Sequence, residues 1–269
     1  MSKHKFTEED VAVKDLVVDP KVQRSWLDAG KVERIVAEFN PDAVGRITVS
    51  RRKLGEQVML DGWHRVEAVR RLTDNDGTVP ARVFENLTLA EEANMFLKLN
   101  NTTGVHSLDK WEKRITSGDE FAAKIAKTLE LLGWKIHRFA GKGHLNAIGA
   151  VERIQRISDA NECEPDLVHI TFQAITKAWG HDQHGSKGAL IEGIARFIFE
   201  HSAHEDFVFS RLVEKLKDFK GGPQTLAEEA HTISRIRRIR PAMAVADILT
   251  NEYNLGLKNK ALPAWRHRK

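Results

Sequence analysis

Apolar positions in the first hundred residues change their spacing several times, from the alternation typical of strands to the three-and-four spacing of helices. Val32, Ile35 and Phe39, for example, would share one face of a helix. Thr88 and Glu91 have the spacing of a capping box, which predicts a helix start. The pattern predicts strands over 11–18, 46–51, 57–60 and 78–84 and helices over 29–39, 63–72 and 88–100. These elements together indicate a compact α/β unit.

The rest of the chain carries helical patterns that are separated by glycine and proline. Gly133 has the position of a left-handed residue at a helix end, and Pro241 marks a later boundary. The predicted helices span 121–132, 145–158, 166–179, 187–201, 206–219, 225–238 and 242–253. We therefore expect an α/β domain over 1–104, an all-helical domain over 105–257 with the junction near 101–118, and a basic tail over 258–269.

Composition narrows the class of protein. Apolar residues make up 41% of the 269 residues and charged residues 30%, a balance typical of globular proteins in water. No apolar run approaches the roughly 18 residues of a membrane span, and the N-terminal residues lack the apolar core of a signal peptide. The single cysteine, Cys163, excludes an internal disulfide and a metal cluster of several cysteines. We expect a cytoplasmic protein without a membrane partner.

Positive charge is concentrated at the C-terminal end. Residues 1–104 hold 16 basic and 17 acidic residues, whereas residues 235–269 hold nine basic residues and two acidic ones. Such a cluster can bind DNA by neutralising phosphates and releasing counterions, and it is equally compatible with a solvated basic terminus. The candidate DNA-binding residues are Arg235, Arg237, Arg238, Arg240, Arg266, Arg268 and Lys269.

A glycine stands between a predicted buried strand and a predicted helix in the segment Asp61–Arg65. Backbone N–H groups at a helix start are unpaired and, with the helix dipole, favour an anion. Gly62 would let a ligand approach the backbone, and Arg65 could hold phosphate oxygens with its guanidinium. His64 could add a donor, and Asp61 could hold a metal ion or a ligand hydroxyl. The segment therefore predicts a phosphate-binding site.

Three further features accompany this segment along the chain: the sequence PKVQR at 20–24, the strand at 47–49, and a helix that ends at Asn100. In this order they resemble the N-terminal ParB/sulfiredoxin fold, with its asparagine–proline–x–glutamine–x–arginine box, its strand and its glycine–glutamate–arginine–arginine box. The Asp-Gly-x-His-Arg form is most similar to the DGQHR-type proteins associated with phosphorothioate DNA modification. The resemblance covers about residues 8–104.

The resemblance implies an α/β fold of ParB/sulfiredoxin type, followed here by the helical domain that phage and mobile-element ParB-like proteins often append. It implies a bound nucleoside triphosphate, CTP or ATP, with or without Mg²⁺. The nucleotide-binding residues that it implies are Gln23, Arg24, Gly62, His64, Arg65 and Asn100. Trp63 stands where sulfiredoxins have a cysteine and partitioning ParB proteins a glutamate, so sulfinic-acid repair is not expected and CTP hydrolysis is in doubt.

Structural explanations compete with these functional ones. Asp61 could be a helix N-cap, and Asn100 could be a helix C-cap. Gln23 and Arg24 could simply pair with the neighbouring helix, and Trp63 is better explained by packing than by stacking on a base. Histidine pairs at 181 and 184 and at 201 and 204 lack a third ligand, so no metal site is predicted.

Three functions remain in competition. The leading hypothesis is a ParB-like, nucleotide-binding, DNA-associated protein whose helical domain contacts DNA or mediates self-association into a homo-oligomer. The second is a phosphotransferase or nuclease, in which Asp61 and His64 would be catalytic and Mg²⁺ would neutralise phosphate charge; a slow NTPase activity also belongs here. The third is an interaction module with a vestigial pocket.

Overall fold

Two compact units make up the chain, Met1–Ala122 and Ala123–Lys269. The computed structural model describes residues 4–41, 44–100, 107–257 and 260–264. The first unit contains a five-stranded sheet, and the second consists mainly of helices. The predicted order of an α/β unit followed by a helical one is therefore confirmed.

The strands of the first unit are β1 (Phe6–Ala12), β2 (Leu16–Val17), β3 (Ile47–Arg51), β4 (Gln57–Asp61) and β5 (Thr78–Glu85). They form one sheet in the order β1-β5-β3-β4-β2. The pairs β1–β5 and β3–β4 are antiparallel, whereas β3–β5 and β2–β4 are parallel. The helices of this unit are α1 (Ala29–Ala37), α2 (Trp63–Leu72), α3 (Leu89–Leu99) and α4 (Ser107–Thr116).

β4 is buried on both faces, which explains its continuous apolar run. Successive side chains of a strand point to opposite faces of the sheet. Met59 packs in one core with Val66 of α2, whereas Val58 and Leu60 pack in a second core with Phe96 of α3. Helices therefore cover both faces of the sheet at the strand that leads into the candidate site.

The single strand predicted over 11–18 is wrong. The chain forms β1 up to Ala12, then a 3-10 helix over Val13–Asp15, and then the short strand β2. β1 lies at the edge of the sheet, and its residues before Val11 are exposed. It therefore lacks the apolar alternation by which a half-buried strand is recognised.

The first unit extends past the predicted boundary at residue 104. α4 lies within the predicted junction and contacts α3, and its side chains Leu108 and Trp111 are buried. Lys113, 1% exposed, donates from Nζ to the carbonyl oxygen of Pro20 at 2.5 Å. Residues on both sides of position 104 therefore belong to one packed unit.

The second unit is built from helices that the sequence predicts to within three residues at each end. They are α5 (Glu120–Leu131, which begins in the first unit), α6 (Ile148–Ala160), α7 (Leu167–Trp179), α8 (Gly188–His201), α9 (Phe209–Asp218), α10 (Gly222–Arg237) and α11 (Pro241–Asn254). Two short parallel strands, β6 (Lys135–Ile136) and β7 (His144–Leu145), were not predicted.

α8 and α11 form the centre of this helical core. A Cβ atom on Gly193 of α8 would lie 2.4 Å from Cβ of Val245 of α11, so the glycine allows the two helices to approach closely. Gly133 has φ +76°, as predicted for the residue after α5. Within the ranges that the structure describes, no helix has the length and apolar character needed to cross a membrane.

Candidate functional site

A cleft of about 620 Å³ lies in the first unit, where β4 ends and α2 begins. Side chains of α1 line it, together with residues from the loop before α1 and the end of α3. All the site residues predicted in the first domain line this cleft: Gln23, Arg24, Asp61, Gly62, His64, Arg65 and Asn100. The fold thus brings together residues that lie far apart in the sequence.

The turn at Gly62 needs glycine for reasons inside the protein. Its φ is +100°, and a Cβ atom there would lie 2.4 Å from Cγ2 of Ile47, a fully buried residue of β3. Gly62 is also the N-cap residue of α2, so the alternative in which Asp61 caps this helix is wrong. Backbone conformation and packing on the sheet are sufficient to explain the glycine.

The guanidinium of Arg65 is held by three hydrogen bonds within the protein. Nη1 donates to the carbonyl oxygens of Val44 and Arg46, each at 3.1 Å. Nη2 donates to Oδ2 of Asp61 at 2.7 Å. The two charged side chains remain partly exposed, 29% for Arg65 and 36% for Asp61. Arg65 therefore ties the segment before β3 to the start of α2, and most of its hydrogen-bonding capacity is used there.

His64 lines the cleft as a buried, neutral imidazole. Burial, and then the positive charges of Lys31 and Arg24, lower the pKa of His64 from 6.5 to about 4. The backbone N–H of Asp28, the N-cap residue of α1, donates to Nε2 of His64 at 3.3 Å. Because Nε2 accepts this bond, the ring proton lies on Nδ1. His64 thus supports the start of α1 and brings no positive charge to an anionic ligand at neutral pH.

Gln23, Arg24 and Asn100 form one hydrogen-bonded group. Nε2 of Gln23 donates to the carbonyl oxygen of Met59 at 3.3 Å, and its Oε1 accepts from the backbone N–H of Arg24 at 3.0 Å. Nη2 of Arg24 donates to Oδ1 of Asn100 at 3.2 Å. Asn100 is the C-cap residue of α3 and donates to the carbonyl oxygen of Phe96. The C-cap explanation of Asn100 is confirmed, and the same side chain orients Arg24.

The start of the loop that carries Gln23 and Arg24 is fixed by buried charges. Nη2 of Arg52 donates to Oδ2 of Asp19 at 2.7 Å, and the same guanidinium pairs with Glu92, whose side chain is fully buried. The next residue of the loop accepts the hydrogen bond from Lys113 described above. These contacts hold the start of the loop against α3 and α4.

Two basic residues of α1, Lys31 and Arg34, line the cleft and were not among the predicted site residues. Both are exposed. Within the described residues, Nζ of Lys31 has no hydrogen-bond or ion-pair partner, and Arg34 makes one 3.4 Å hydrogen bond, from Nε to the carbonyl oxygen of Gly30. The available sequence signal was their three-residue spacing, which places both on one side of a helix.

The cleft also has an apolar part. Ile35, Phe39, Val44 and Trp63 line it, and the last three also pack against the core of the sheet. The explanation of Trp63 by packing is therefore confirmed, although the same side chain also contributes to the cleft. A ligand with an anionic part and a flat uncharged part would find complementary surfaces for both.

Basic side chains outnumber acidic ones in the cleft. The basic residues are Arg24, Lys31, Arg34 and Arg65, and the acidic residues are Asp61 and Glu38. Because Asp61 neutralises Arg65, the positive charge offered to a ligand comes mainly from Arg24 and α1. The described part of the chain holds no group of three histidine, cysteine, aspartate or glutamate side chains that could bind a metal ion.

Four of the predicted DNA-binding arginines lie in the second unit at the end of α10 and in the link to α11. Arg235, Arg237, Arg238 and Arg240 are all exposed. Arg237 forms an ion pair with Asp247. Ile236, which stands among them, is 76% exposed. The remaining candidates, Arg266, Arg268 and Lys269, lie outside the described residues.

Two histidines and the cysteine of the second unit have surroundings that explain them structurally. Nε2 of His181 lies 2.9 Å from the carbonyl oxygen of Leu132, and Nε2 of the buried His201 lies 3.4 Å from Oγ1 of Thr250. Burial raises the pKa of the Cys163 thiol. This cysteine therefore lacks the lowered pKa of a reactive thiolate.

The chain was compared with family models, with curated proteins and with solved structures. A family model described as "Family of unknown function (DUF6551)" matches residues 20–263. None of the curated proteins matches the chain. The chain is similar to the solved "Structure of the C2221 form of Pnob8-like ParB-N domain", with 15% identity and a TM-score of 0.33 over 97% of this chain and 96% of that one. Similarity at this level carries no argument about the fold or the site.

Proposed function

Because the chain belongs to DUF6551, a family of unknown function, we propose its function from the cleft of its first unit: it binds a nucleoside triphosphate there. One observation carries the proposal. A cleft of about 620 Å³ is lined by both basic and apolar side chains and contains all the residues that the motifs of the first domain predicted. This volume lies within the roughly 300–1,000 Å³ range of small-molecule sites.

The basic and the apolar side chains of the cleft match the two parts of a nucleotide. The side chains of Arg24, Lys31 and Arg34 offer positive charge to phosphates. The side chains of Phe39 and Trp63, which are half-buried against the core of the sheet, offer their remaining aromatic surface to a base, and stacking of this kind does not depend on which base it is. A ligand with phosphates alone would leave the apolar side chains of the cleft in water, and a nucleoside alone would leave its basic side chains without an anionic partner.

The contacts of Asp61 and His64 favour binding without catalysis. Oδ2 of Asp61 is engaged by Arg65, and Nε2 of His64 accepts a backbone hydrogen bond. Neither atom is available as a general base while these bonds persist. The donor set does not fit a Mg²⁺ ion held by the protein, since one of the two carboxylates in the cleft is already paired. Any Mg²⁺ would then be carried by the phosphates themselves.

We further propose that the second unit associates with DNA through the exposed arginines at the end of α10 and in the link to α11. This proposal is supported by the concentration of positive charge there and by the resemblance of the first domain to ParB-like proteins. Phosphate contacts of this kind are independent of sequence and weaken steeply with salt.

A thermal-shift screen tests the nucleotide proposal. ATP, CTP, GTP and UTP are each added with and without Mg²⁺, and the matching nucleosides serve as controls. A ligand at a hundred times its Kd adds about 2.7 kcal/mol to the stability of the protein that binds it. We expect at least one triphosphate to raise Tm and its nucleoside to raise it less. If none of the four triphosphates changes Tm at millimolar concentration, the proposal is refuted.

A further inference from the structure

We propose that the phosphates of the ligand are bound by Lys31 and Arg34 of α1 together with Arg24, while Arg65 shapes the cleft without holding them. The inference rests on the proposed function, because it assigns the residues that recognise the phosphates of the proposed nucleotide. It departs from the expectation drawn from the motif, in which the arginine of the Asp-Gly-x-His-Arg segment grips the phosphate.

Arg65 is poorly placed to receive a phosphate. A guanidinium has five N–H groups, and those of Arg65 make three hydrogen bonds within the protein. A phosphate that replaced these bonds would release the carbonyl oxygens of Val44 and Arg46. It would also meet the partly exposed carboxylate of Asp61, which lies 2.7 Å from Nη2 of Arg65. The negative charge of Asp61 would repel such a phosphate, so the pair attracts an anion less than an unpaired arginine would.

The other three cations are better placed. Arg24 donates to the uncharged amide of Asn100, a bond that orients its guanidinium without neutralising it. Lys31 has no partner for Nζ among the described residues, and both η nitrogens of Arg34 are without one in the same ranges. All three side chains line the same cleft.

The position of Lys31 in α1 adds an independent reason. Lys31 lies in the first turn of the helix, where the backbone dipole is positive and a cation is unfavourable. The N-cap residue of α1 is Asp28, whose side chain accepts a hydrogen bond from the backbone N–H of Lys31 at 3.1 Å. The carboxylate of Asp28 thus offsets part of the helix dipole, whereas the ammonium group of Lys31 has no partner among the described residues and would be stabilised by an anionic ligand.

The imidazole of His64 lies near charges of both signs, since Asp28 and Asp61 raise its pKa while Lys31 and Arg24 lower it. Lys31 and Arg24 each contribute to lowering the pKa of His64, after the larger contribution of burial. Lys31 of α1 and Arg24 of the loop before it line the same cleft as this residue of α2. A bound phosphate next to them would offset both charges.

The experiment uses the full-length chain and two probes, inorganic tripolyphosphate and the nucleoside triphosphate that gives the largest thermal shift. The variant is Lys31→Ala/Arg34→Ala, which removes two exposed side chains from a helix and replaces them with a good helix former. The matched control is Lys5→Ala/Lys53→Ala, which removes two exposed charges from the same unit outside the cleft. Affinities are measured by isothermal titration calorimetry.

We expect the α1 variant to bind both probes at least tenfold more weakly than the wild type, and the control to bind within about twofold, since hydrogen bonds between charged groups are worth a factor of ten or more. An α1 variant that binds like the wild type, or a control that weakens equally, would overturn the inference while leaving nucleotide binding intact. A wild type that binds neither probe would instead refute the proposed function on which the inference rests.

Discussion

Replacing Gly62 by alanine should destabilise the first unit by about 2–5 kcal/mol. The φ of +100° places an L-residue outside its favoured region, at a cost of about 1–2 kcal/mol. The new Cβ would also lie 2.4 Å from Cγ2 of Ile47 and 2.9 Å from its Cβ. Ile47 is fully buried and cannot move away without disturbing the core, and such overpacking costs about 1–3 kcal/mol.

A substitution at a second glycine separates the backbone cost from the cost of overpacking. Gly55, in the turn between β3 and β4, has φ +85°, but a Cβ there would meet nothing within 4 Å. Gly55→Ala should therefore show the backbone cost alone. Urea denaturation followed by hydrogen exchange in β3 and β4 gives the free energy of unfolding of this unit for each variant. If Gly62→Ala and Gly55→Ala destabilise it equally, the contact with Ile47 is not the cause.

Three further predictions concern charged groups. Arg65→Ala should lower the free energy of unfolding of the first unit by about 2–4 kcal/mol, because it removes an ion pair and two hydrogen bonds to carbonyl oxygens; an unchanged urea midpoint would contradict the described contacts. The pKa of His64 is about 4 in the folded state and 6.5 when the ring is exposed, so the unfolded state binds more protons between these pH values. The neutral imidazole therefore contributes about 3 kcal/mol to the free energy of unfolding. This contribution is complete above pH 6.5 and is lost as the pH falls towards 4. NMR titration of the imidazole checks this value, and a midpoint near 6.5 would show that the ring is not buried. Arg235→Ala/Arg240→Ala should weaken duplex DNA binding and flatten its dependence on salt, measured by fluorescence anisotropy, whereas the lysine control variant described above should keep the wild-type slope.

Local signals account for the parts of the fold that the sequence predicted. The helices of the second unit are separated by residues that stop helices, such as Gly133 and Pro241, and their apolar faces repeat regularly. Thr88 and Glu91 form the predicted capping box at the start of α3. In each case the residues that specify the element lie within a few positions of it, so one sequence was sufficient.

The missed elements depend on contacts between distant segments. β1 is a strand because it pairs with β5, and its own exposed residues give no alternating pattern. α4 belongs to the first unit because it packs on α3 and reaches the loop at Pro20. Neither contact can be predicted from the local spacing of apolar residues.

The candidate site likewise has features that are local in the sequence and features that depend on distant segments. The segment Asp61–Arg65 was recognisable because a glycine between a buried strand and a helix is a local feature. The hydrogen bonds of Arg65 within the protein were not recognisable, because two of the acceptors are the carbonyl oxygens of Val44 and Arg46, about twenty residues earlier in the sequence. The basic residues of α1 were missed because the spacing of apolar residues predicts which face of a helix packs on the core, but not which polar residues line a cleft.

The buried lysine of α4 has a practical consequence for dissecting the protein. A fragment ended at residue 104, the boundary that the sequence indicates, would carry all the motif residues but would lack Lys113 and the apolar side chains Leu108 and Trp111. The loop that presents Gln23 and Arg24 would lose one of its fixed points, and the side of α3 that α4 covers would be open to water. Recombinant expression of the cleft as an isolated domain should therefore extend at least to Ala122.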